Sequence, residues 1–329
     1  ERFAQVTANR LWKRFFGIGL VDSAGDWHNS RPSHPELLEY LGRELVLRGY
    51  DLKSFVRLIL NSHAYQCQTS PNAKPQSHPE KPLFAAQLRR RLRAEQIVDG
   101  LYHAMGLPME VGELNMDRDG GLGPDTFLNL GYPRKAWQYA ALSNERDRPS
   151  LAIPRIQAVI DVLKQFGWRP SRQDPLTDRE EAPHALQSGI LSNGILTTWL
   201  TRLSADHGIT GECLEERPAE DLLEAVFLRL LTRRPTKEEN ERFLTLLANG
   251  YPQRIIPATE REPIPWPKKI PAVSWSNHLS PEASTIVIEL EKRAREGDPP
   301  SNALNPAWRE HMEDTLWALI NSPEILFVP

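Results

Sequence analysis

The sequence has little cysteine: only two of its 329 residues are cysteines. Cys67 and Cys213 lie far apart, and neither belongs to a C-x-x-C motif. The sequence therefore holds no disulfide framework and no zinc-binding or haem-attachment motif. We expect two buried thiols, with a disulfide in an oxidising compartment as the alternative.

Long apolar runs and a strong net charge are also missing. No apolar run approaches the roughly 18 residues that suggest a membrane-spanning helix, so we predict no membrane span. The formal net charge of -3 argues against a general binder of polyanions, and we predict no nucleic-acid partner. The first residues lack a signal peptide and already resemble the interior of a helix, so we expect a fragment of a longer protein.

Glycine is scarcer than proline, with 19 glycines against 28 prolines in an otherwise ordinary globular composition. Apolar residues recur at helical spacing through most of the chain, as in the stripe of Leu37, Leu38, Leu41 and Leu45. This periodicity predicts a mainly α-helical fold, a multi-helix bundle-like domain with long irregular loops and little or no sheet.

The same periodicity divides the chain into five parts. We predict an N-terminal helical region at 1–105, an irregular insertion at 106–154, a helical region at 155–250, a proline-rich strap at 251–281, and C-terminal helices at 282–329 that pack back on the core. Loops as long as the insertion are commonly functional. Inside it we predict one short strand at 137–140.

Several helix starts carry capping residues. Ser33 and Glu36 have the spacing of a capping box, in which the Ser33 hydroxyl accepts the backbone N–H of Glu36. Further caps are predicted at Asp51, Thr236 and Asn305. These residues indicate where helices begin. Capping gives their polar side chains a structural role.

Polar side chains gather before the helix that carries the leucine stripe. Asp26, His28 and His34 are close enough in sequence to converge at its N-terminus, which would attract an anion. We prefer the interpretation that they close a loop onto the helix, because the capping box already accounts for this helix start. Arg134 in the insertion and Asp161 in the following helix complete the candidate polar site.

Three aspartates in the insertion form a weak calcium candidate. Asp117, Asp119 and Asp125 would supply oxygen ligands. An EF-hand loop counted from Asp117 needs glycine at its sixth position and glutamate at its twelfth, where this sequence has Leu122 and Leu128. A solvated glycine turn is the preferred interpretation, and we predict no other metal site.

No catalytic motif is recognisable. Ser188 and Ser192 lie near glycines but inside the helix predicted at 185–203, whereas a nucleophile elbow needs a strand before its serine. The basic run at 89–93 continues into a helix with acidic residues, which favours ion pairs or a solvated face over a phosphate site. Whether the chain is an enzyme stays open on these grounds.

Two segments near the start resemble a known family. Asn9–Val21 reads N-R-L-W-K-R-F-F-G-I-G-L-V, and Pro32–Leu38 reads P-S-H-P-E-L-L. Both strongly resemble the planctomycete-specific family known as domain of unknown function 1553, or planctomycete domain PSD-one. The resemblance continues at Leu58–Tyr65, Arg91–Glu95, Ala185–Asn193, Phe227–Glu239 and Leu316–Glu324.

The resemblance implies a context and no reaction, because the family has no established activity or catalytic residues. Members are usually large exported proteins in which this domain follows another domain, often with a cytochrome-c-type module near the N-terminus. The resemblance therefore implies a periplasmic or cell-surface location, and any haem would belong to an upstream segment, with no cofactor in this chain. Asp26-Trp27-His28 stands where family members often have Asp-Phe-Gly, which weakens a ligand role for that loop.

Taken together, the residues and the resemblance lead to one preferred function. We expect a non-catalytic structural or protein-interaction module of a larger cell-envelope assembly. Its partners would be the upstream domain of the same polypeptide or another envelope protein. A hydrolase acting on a surface polymer, and an accessory domain of a c-type cytochrome electron-transfer protein, are the alternatives.

Overall fold

The computed structural model describes residues 2–21, 27, 30–67, 84, 90–112, 134–139, 153–168, 183–264, 270–271, 273–274 and 276–328. Within these ranges the fold is mainly α-helical, as predicted, and the one ladder pairs β1 (Arg90–Arg91) with β2 (Phe327–Val328) in antiparallel fashion. The helices are α1 (Arg2–Phe16), α2 (Pro35–Leu47), α3 (Leu52–Leu60), α4 (His63–Gln66), α5 (Ala94–Met105), α6 (Ala136–Tyr139), α7 (Pro154–Gln165), α8 (Ala185–Asn193), α9 (Ile195–Thr201), α10 (Gly208–Cys213), α11 (Ala219–Leu231), α12 (Lys237–Ala248), α13 (Pro281–Glu296) and α14 (Pro306–Ile320).

The described residues fall into two compact units. The first holds α1 to α4 and the β1–β2 pair, and the second holds α5 to α14. Among the described helices, none combines the length and the apolar character needed to cross a bilayer.

The first unit is built around α1 and α2. Its core collects the apolar faces of these two helices, of α3 and of the loop that follows α1; the buried side chains are Ala4, Ala8, Trp12, Phe16, Leu20, Val21, Leu38, Leu41, Leu45, Phe55 and Ile59. The predicted leucine stripe of α2 is thus confirmed at three positions, while Leu37 is only partly buried against the same core.

A buried asparagine explains the first family-like segment. Asn9 is 2% exposed, and its side-chain amide donates to the Val21 carbonyl over 2.9 Å while its Oδ1 accepts the Val21 N–H over 3.0 Å. Gly17, with φ of 80°, ends α1 in the left-handed region and turns the chain back toward Asn9. The segment therefore has a structural role, since it fastens a loop to the helix before it.

The predicted caps of the first unit have mixed outcomes. Asp51 caps α3 as predicted, because its carboxylate accepts the N–H groups of Lys53 and Ser54. The Ser33 capping box is wrong. Since α2 begins at Pro35, Ser33 lies one residue too early, and its hydroxyl donates to the Leu20 carbonyl over 3.1 Å.

The second unit has a larger core to which five helices contribute most. Each of α5, α7, α9, α11 and α14 buries an apolar face, and one fully buried side chain from each is Val98, Val159, Leu200, Phe227 and Leu316. The predicted caps Thr236 and Asn305 are both confirmed.

Close approach of two glycines fixes the end of α5 against the start of α10. A Cβ on Gly208 would lie 2.9 Å from the Cα of Gly106 and 2.9 Å from the Met105 carbonyl oxygen. Arg229 of α11 covers the contact, since its Nε donates to the Ala104 carbonyl and its guanidinium pairs with Glu212. No larger residue fits between these backbones without displacing one of them.

The proline-rich stretch after α12 is held by a buried arginine. Arg254 is 6% exposed and donates to the carbonyls of Cys213 and Tyr251 over 2.9 and 3.1 Å. Its guanidinium also stacks on the Tyr251 ring, 4.0 Å from the centroid. The stretch includes two short 3-10 turns, Tyr251–Gln253 and Ala258–Glu260, where prolines predicted a wholly extended path.

Two further expectations are wrong. Residues 137–139 of the strand predicted at 137–140 are instead the end of α6, which Asp99 caps by accepting the Ala136 N–H over 2.8 Å, and residue 140 lies outside the described residues. The helix predicted at 185–203 is two helices, because the chain breaks at Gly194, where a Cβ would lie 2.1 Å from the Ile190 carbonyl oxygen. The first error comes from a contact between residues 37 apart, and the second from a break at a glycine within the apolar pattern.

Candidate interaction surface

The outer face of α2 carries apolar side chains that the core does not bury. Leu38, Leu41 and Leu45 point into the first unit. Leu47 is 79% exposed, and Val46 and Tyr40 are each almost half-exposed. Tyr40 and Leu47 are seven residues apart, so they lie on the same side of the helix.

A groove runs beside this face because α1 and α2 pack closely. Ala4 and Ala8 of α1 are buried, and a Cβ on Gly42 of α2 would lie 2.9 Å from the Cγ of Gln5. The groove has a volume of about 350 Å³ and a mostly apolar wall; it is lined by Gln5, Glu39, Gly42, Arg43, Val46 and Leu47. Small residues therefore let the two helices approach closely, and the groove lies beside their contact.

Two aromatic residues of the first unit lie together at its surface. Phe3 of α1 is 70% exposed, and its ring centroid lies 5.8 Å from that of Tyr50. Tyr50 has a φ of 62° and directly follows Gly49, which has a φ of 59°. This left-handed turn after α2 directs the chain so that Tyr50 meets Phe3 at the surface.

The charges beside the groove have both signs. Glu39 and Arg43 are exposed, lie one helical turn apart and line the groove together. Within the described residues neither belongs to an ion pair, whereas the nearby Arg48 pairs with Glu44 over 2.9 Å. A molecule that binds in the groove would therefore meet one negatively charged and one positively charged side chain.

We call the groove together with Phe3, Tyr40 and Tyr50 the α1–α2 surface. Five large apolar side chains are exposed on it: Phe3, Tyr40, Val46, Leu47 and Tyr50. Because a whole aromatic side chain has an area of about 150–250 Å², the exposed fractions of the five add up to on the order of 500 Å². Apolar patches of about 300–600 Å² are as large as those on ordinary monomers become, and they often mark binding sites. The arrangement can bind apolar groups of another molecule.

The predicted polar site is only partly within the described residues. Asp26 and His28 lie outside them. His34 belongs to the first unit, where its Nδ1 lies 3.1 Å from the Ser33 hydroxyl oxygen. Arg134 is exposed in the second unit and donates its backbone N–H to Gln138, while Asp161 accepts the side-chain amide of Gln157.

The calcium candidates Asp117, Asp119 and Asp125 also lie outside the described residues. In the described part of the chain, His, Cys, Asp and Glu side chains nowhere form a group of three or more that could hold a metal ion.

The most perturbed histidine holds the fold of the second unit. His207 is buried, its Nε2 lies 2.8 Å from the Leu200 carbonyl and its Nδ1 accepts the Ile209 N–H over 3.2 Å. Burial lowers the pKa of His207 to about 4. The ring is therefore neutral at neutral pH and both its nitrogens serve the backbone.

The two cysteines are free thiols, in line with the preferred expectation. Cys213 is fully buried, and that burial raises its pKa to about 12, so it is no thiolate nucleophile. Cys67 is only half-buried, and its Sγ donates to the His63 carbonyl. The prediction of two buried thiols is thus right for Cys213 and too strong for Cys67.

The most strongly bonded charged group of the second unit joins α12 to the C-terminal turn. The guanidinium of Arg233 donates two bonds of 2.8 Å to Glu239 and bonds of 2.8 and 2.7 Å to Glu324. The hydrogen bonds from Arg233 lower the pKa of Glu239 to about 2. Because every carboxylate oxygen here is bound to Arg233, the network is a structural clamp.

The fold and the exposed surface define a mainly α-helical protein with an open apolar face on its first unit. The chain belongs to the family PSD1, described as a protein of unknown function (DUF1553), whose model matches residues 1–247. This confirms the resemblance in Asn9–Val21 and Pro32–Leu38, while Leu316–Glu324 lies beyond the match. A search of curated proteins and a search of solved structures each found no match.

The α1–α2 surface was missed by sequence reasoning. The apolar stripe of α2 explains its buried leucines but does not include the apolar residues outside the stripe. Val46 and Leu47 are the signal that was available, because two apolar residues on the polar side of an amphipathic helix are not explained by the core. Gly42 carries no such signal, since its role depends on where α1 lies.

Proposed function

We propose that this chain is a non-catalytic structural or protein-interaction module of a larger cell-envelope assembly, and that it binds a partner protein through the α1–α2 surface. The observation that carries this proposal is the exposure of Leu47 in the wall of an open apolar groove, together with the exposure of Phe3 on α1. Family membership supplies no reaction that would compete with it.

Burial of these side chains against a partner supplies the driving force. Moving one large apolar side chain from water into an apolar contact contributes about 1.5–3 kcal/mol. Aromatic side chains that fill pockets near the centre of an interface commonly dominate its affinity. Phe3, Tyr40 and Tyr50 have the composition that such interfaces favour.

The described groups with the largest pKa shifts support a non-catalytic role. His207 and Cys213 are buried and uncharged at neutral pH. Arg233 and Glu239 are saturated by each other and by Glu324. Groups engaged in this way hold helices and loops together and have no free position for a substrate.

The assembly is proposed to lie outside the cytoplasm, in the periplasm or at the cell surface. Its partners would be the upstream domain of the same polypeptide or another envelope protein, and any haem would be bound by such a segment. The support is the resemblance to exported proteins of the family. Fractionation of the native cells, followed with an antibody against the chain, tests the location, and recovery with cytoplasmic enzymes would contradict it.

Photo-crosslinking in the native cells tests the docking surface. A photoreactive amino acid replaces Leu47, and in a matched variant it replaces Leu279, which is 87% exposed on the second unit. We expect position 47 to form a discrete crosslink to a polypeptide and position 279 to form none. Absence of any crosslink at 47, or equal crosslinking at both positions, would overturn the proposal.

A further inference from the structure

We infer that the occupant of the α1–α2 surface is the same surface of a second copy of this chain, in a two-fold symmetric dimer. The inference rests on the proposed function, because it names the partner for that docking surface. It is carried by features of the surface that complement one another when the surface is paired with its own copy.

The first feature is shape. A two-fold interface brings identical patches together, so a self-complementary patch must contain both a projecting group and a recess to receive it. Phe3 projects with 70% of its surface exposed, and the groove along Gly42 and Gln5 is open and apolar. Each copy therefore offers an aromatic side chain and a groove that an aromatic side chain can enter.

The second feature is charge. Glu39 and Arg43 are unpaired within their own described unit and lie one helical turn apart. When two copies of α2 run antiparallel about a two-fold axis between these positions, Glu39 of each copy faces Arg43 of the other, and two ion pairs form. A partner of one charge sign would satisfy one of these groups and repel the other.

The third feature is size. The five apolar side chains expose roughly 500 Å² per copy, and the polar side chains around them add to that area. A standard interface buries about 800 Å² on each partner. The apolar area of two copies together, about 1,000 Å², is at the low end of specific interfaces, so we expect a weak dimer that forms reversibly.

Sedimentation velocity of the full chain over a range of concentrations tests the inference. We expect a monomer–dimer equilibrium in the unmodified chain. Leu47→Glu should raise the dissociation constant on the order of a hundredfold or more, because it places a carboxylate in the apolar contact. Leu279→Glu adds the same charge on the second unit and should leave the dissociation constant unchanged.

A charge reversal distinguishes this interface from a general loss of folding. Arg43→Glu alone should weaken the dimer roughly tenfold or more, because two glutamates then face each other across the axis. Adding Glu39→Arg to Arg43→Glu exchanges the two signs in both copies and should restore most of the affinity. Circular dichroism of each variant checks that its helices are intact.

Three results would overturn the inference: a chain that stays monomeric at every concentration, a dimer that Leu47→Glu leaves intact, or a charge exchange that fails to restore what Arg43→Glu removes. A monomeric chain whose position 47 crosslinks to a different polypeptide would retain the proposed docking function and assign the surface to another partner. A monomeric chain without any crosslink at 47 would remove both proposals.

Discussion

The two units place the same kind of helix in different surroundings. In the first unit, α2 packs against α1 and α3 and leaves Val46 and Leu47 in water. In the second unit, α11 contacts α5, α10, α12 and α14, and six of its apolar side chains are buried: Leu222, Leu223, Val226, Phe227, Leu230 and Leu231. A helix with neighbours on several sides buries most of its apolar residues. A helix with neighbours on one side leaves some of them exposed, where another molecule can bind them.

The largest expected effect comes from breaking the core of the second unit. Trp308 is 1% exposed and donates its indole N–H to the Leu247 carbonyl over 2.9 Å. Trp308→Ala leaves a large cavity and an unpaired carbonyl, so we expect the free energy of unfolding to fall by about 3–5 kcal/mol. Urea unfolding measures the loss.

Trp317 on the same helix is the matched control. It is partly exposed and also donates its indole N–H, to Ser192. Trp317→Ala should lower the free energy of unfolding by about 1 kcal/mol, since little apolar area is lost. Equal losses in the two variants would show that the core is not organised around Trp308.

Acid should weaken the second unit through His207. The ordinary pKa of 6.5 applies to the unfolded chain and a pKa of about 4 to the folded one, so between these values the unfolded state binds the proton first. The contribution of this group therefore lowers the free energy of unfolding progressively as pH falls from 6.5 to 4, by up to about 3 kcal/mol.

Thermal unfolding between pH 7 and 4 measures this dependence. His207→Asn should be less stable than the unmodified chain at pH 7. Below pH 6.5 its free energy of unfolding should fall less steeply with pH, because the contribution of the histidine is gone. His103 is exposed on α5, and His103→Asn should keep the slope of the unmodified chain. An unchanged slope in His207→Asn would contradict the assignment.

A smaller effect is expected where two backbones meet. Gly208→Ala places a Cβ 2.9 Å from Met105 and Gly106 backbone atoms, and we expect a loss of about 1–3 kcal/mol. Gly100 on α5 has open space around its Cβ position, so Gly100→Ala should add about 0.5–1 kcal/mol through helix propensity. Urea unfolding of both variants checks the opposite signs.

The smallest effect sharpens the contrast between the units. Leu47→Glu should leave the free energy of unfolding of the monomer within about 0.5 kcal/mol, because the side chain is outside the core. Leu45→Ala, two residues earlier and fully buried, should cost about 2–5 kcal/mol. If both changes destabilise the monomer equally, Leu47 belongs to the fold and the docking surface loses its main support.

Much of the fold could be predicted because its determinants are local. Asp51, Thr236 and Asn305 cap helices through bonds that reach two or three residues along the chain. The sequence L-I-L-N-S at 58–62 and its echo at 318–322 end helices in the same way: Ser62 N–H bonds to Ile59 and Ser322 N–H to Leu319, each over 3.0 Å. The two segments therefore share one way of ending a helix.

Two of the errors arose where a distant contact outweighed the local pattern. Ser33 has the spacing of a cap, but the loop after α1 brings the Leu20 carbonyl to its hydroxyl. Residues 137–139 have an apolar pattern compatible with a strand, but Asp99 on α5 caps a helical turn just before them. The partner lies 13 residues away in the first case and 37 residues from Ala136 in the second, so no local pattern reports it.

The sequence by itself determined the mainly helical class, several helix starts and the family, because hydrophobic periodicity, capping residues and motif order are written along the chain. Only the tertiary structure decided which apolar residues remain exposed outside the core. Gln5 and Gly42 come to line one groove because α1 packs against α2, and Leu47 is open because α1 and α3 leave that side of α2 uncovered. Exposure is a property of neighbours in space, and that is why the α1–α2 surface emerges only after the helices are packed.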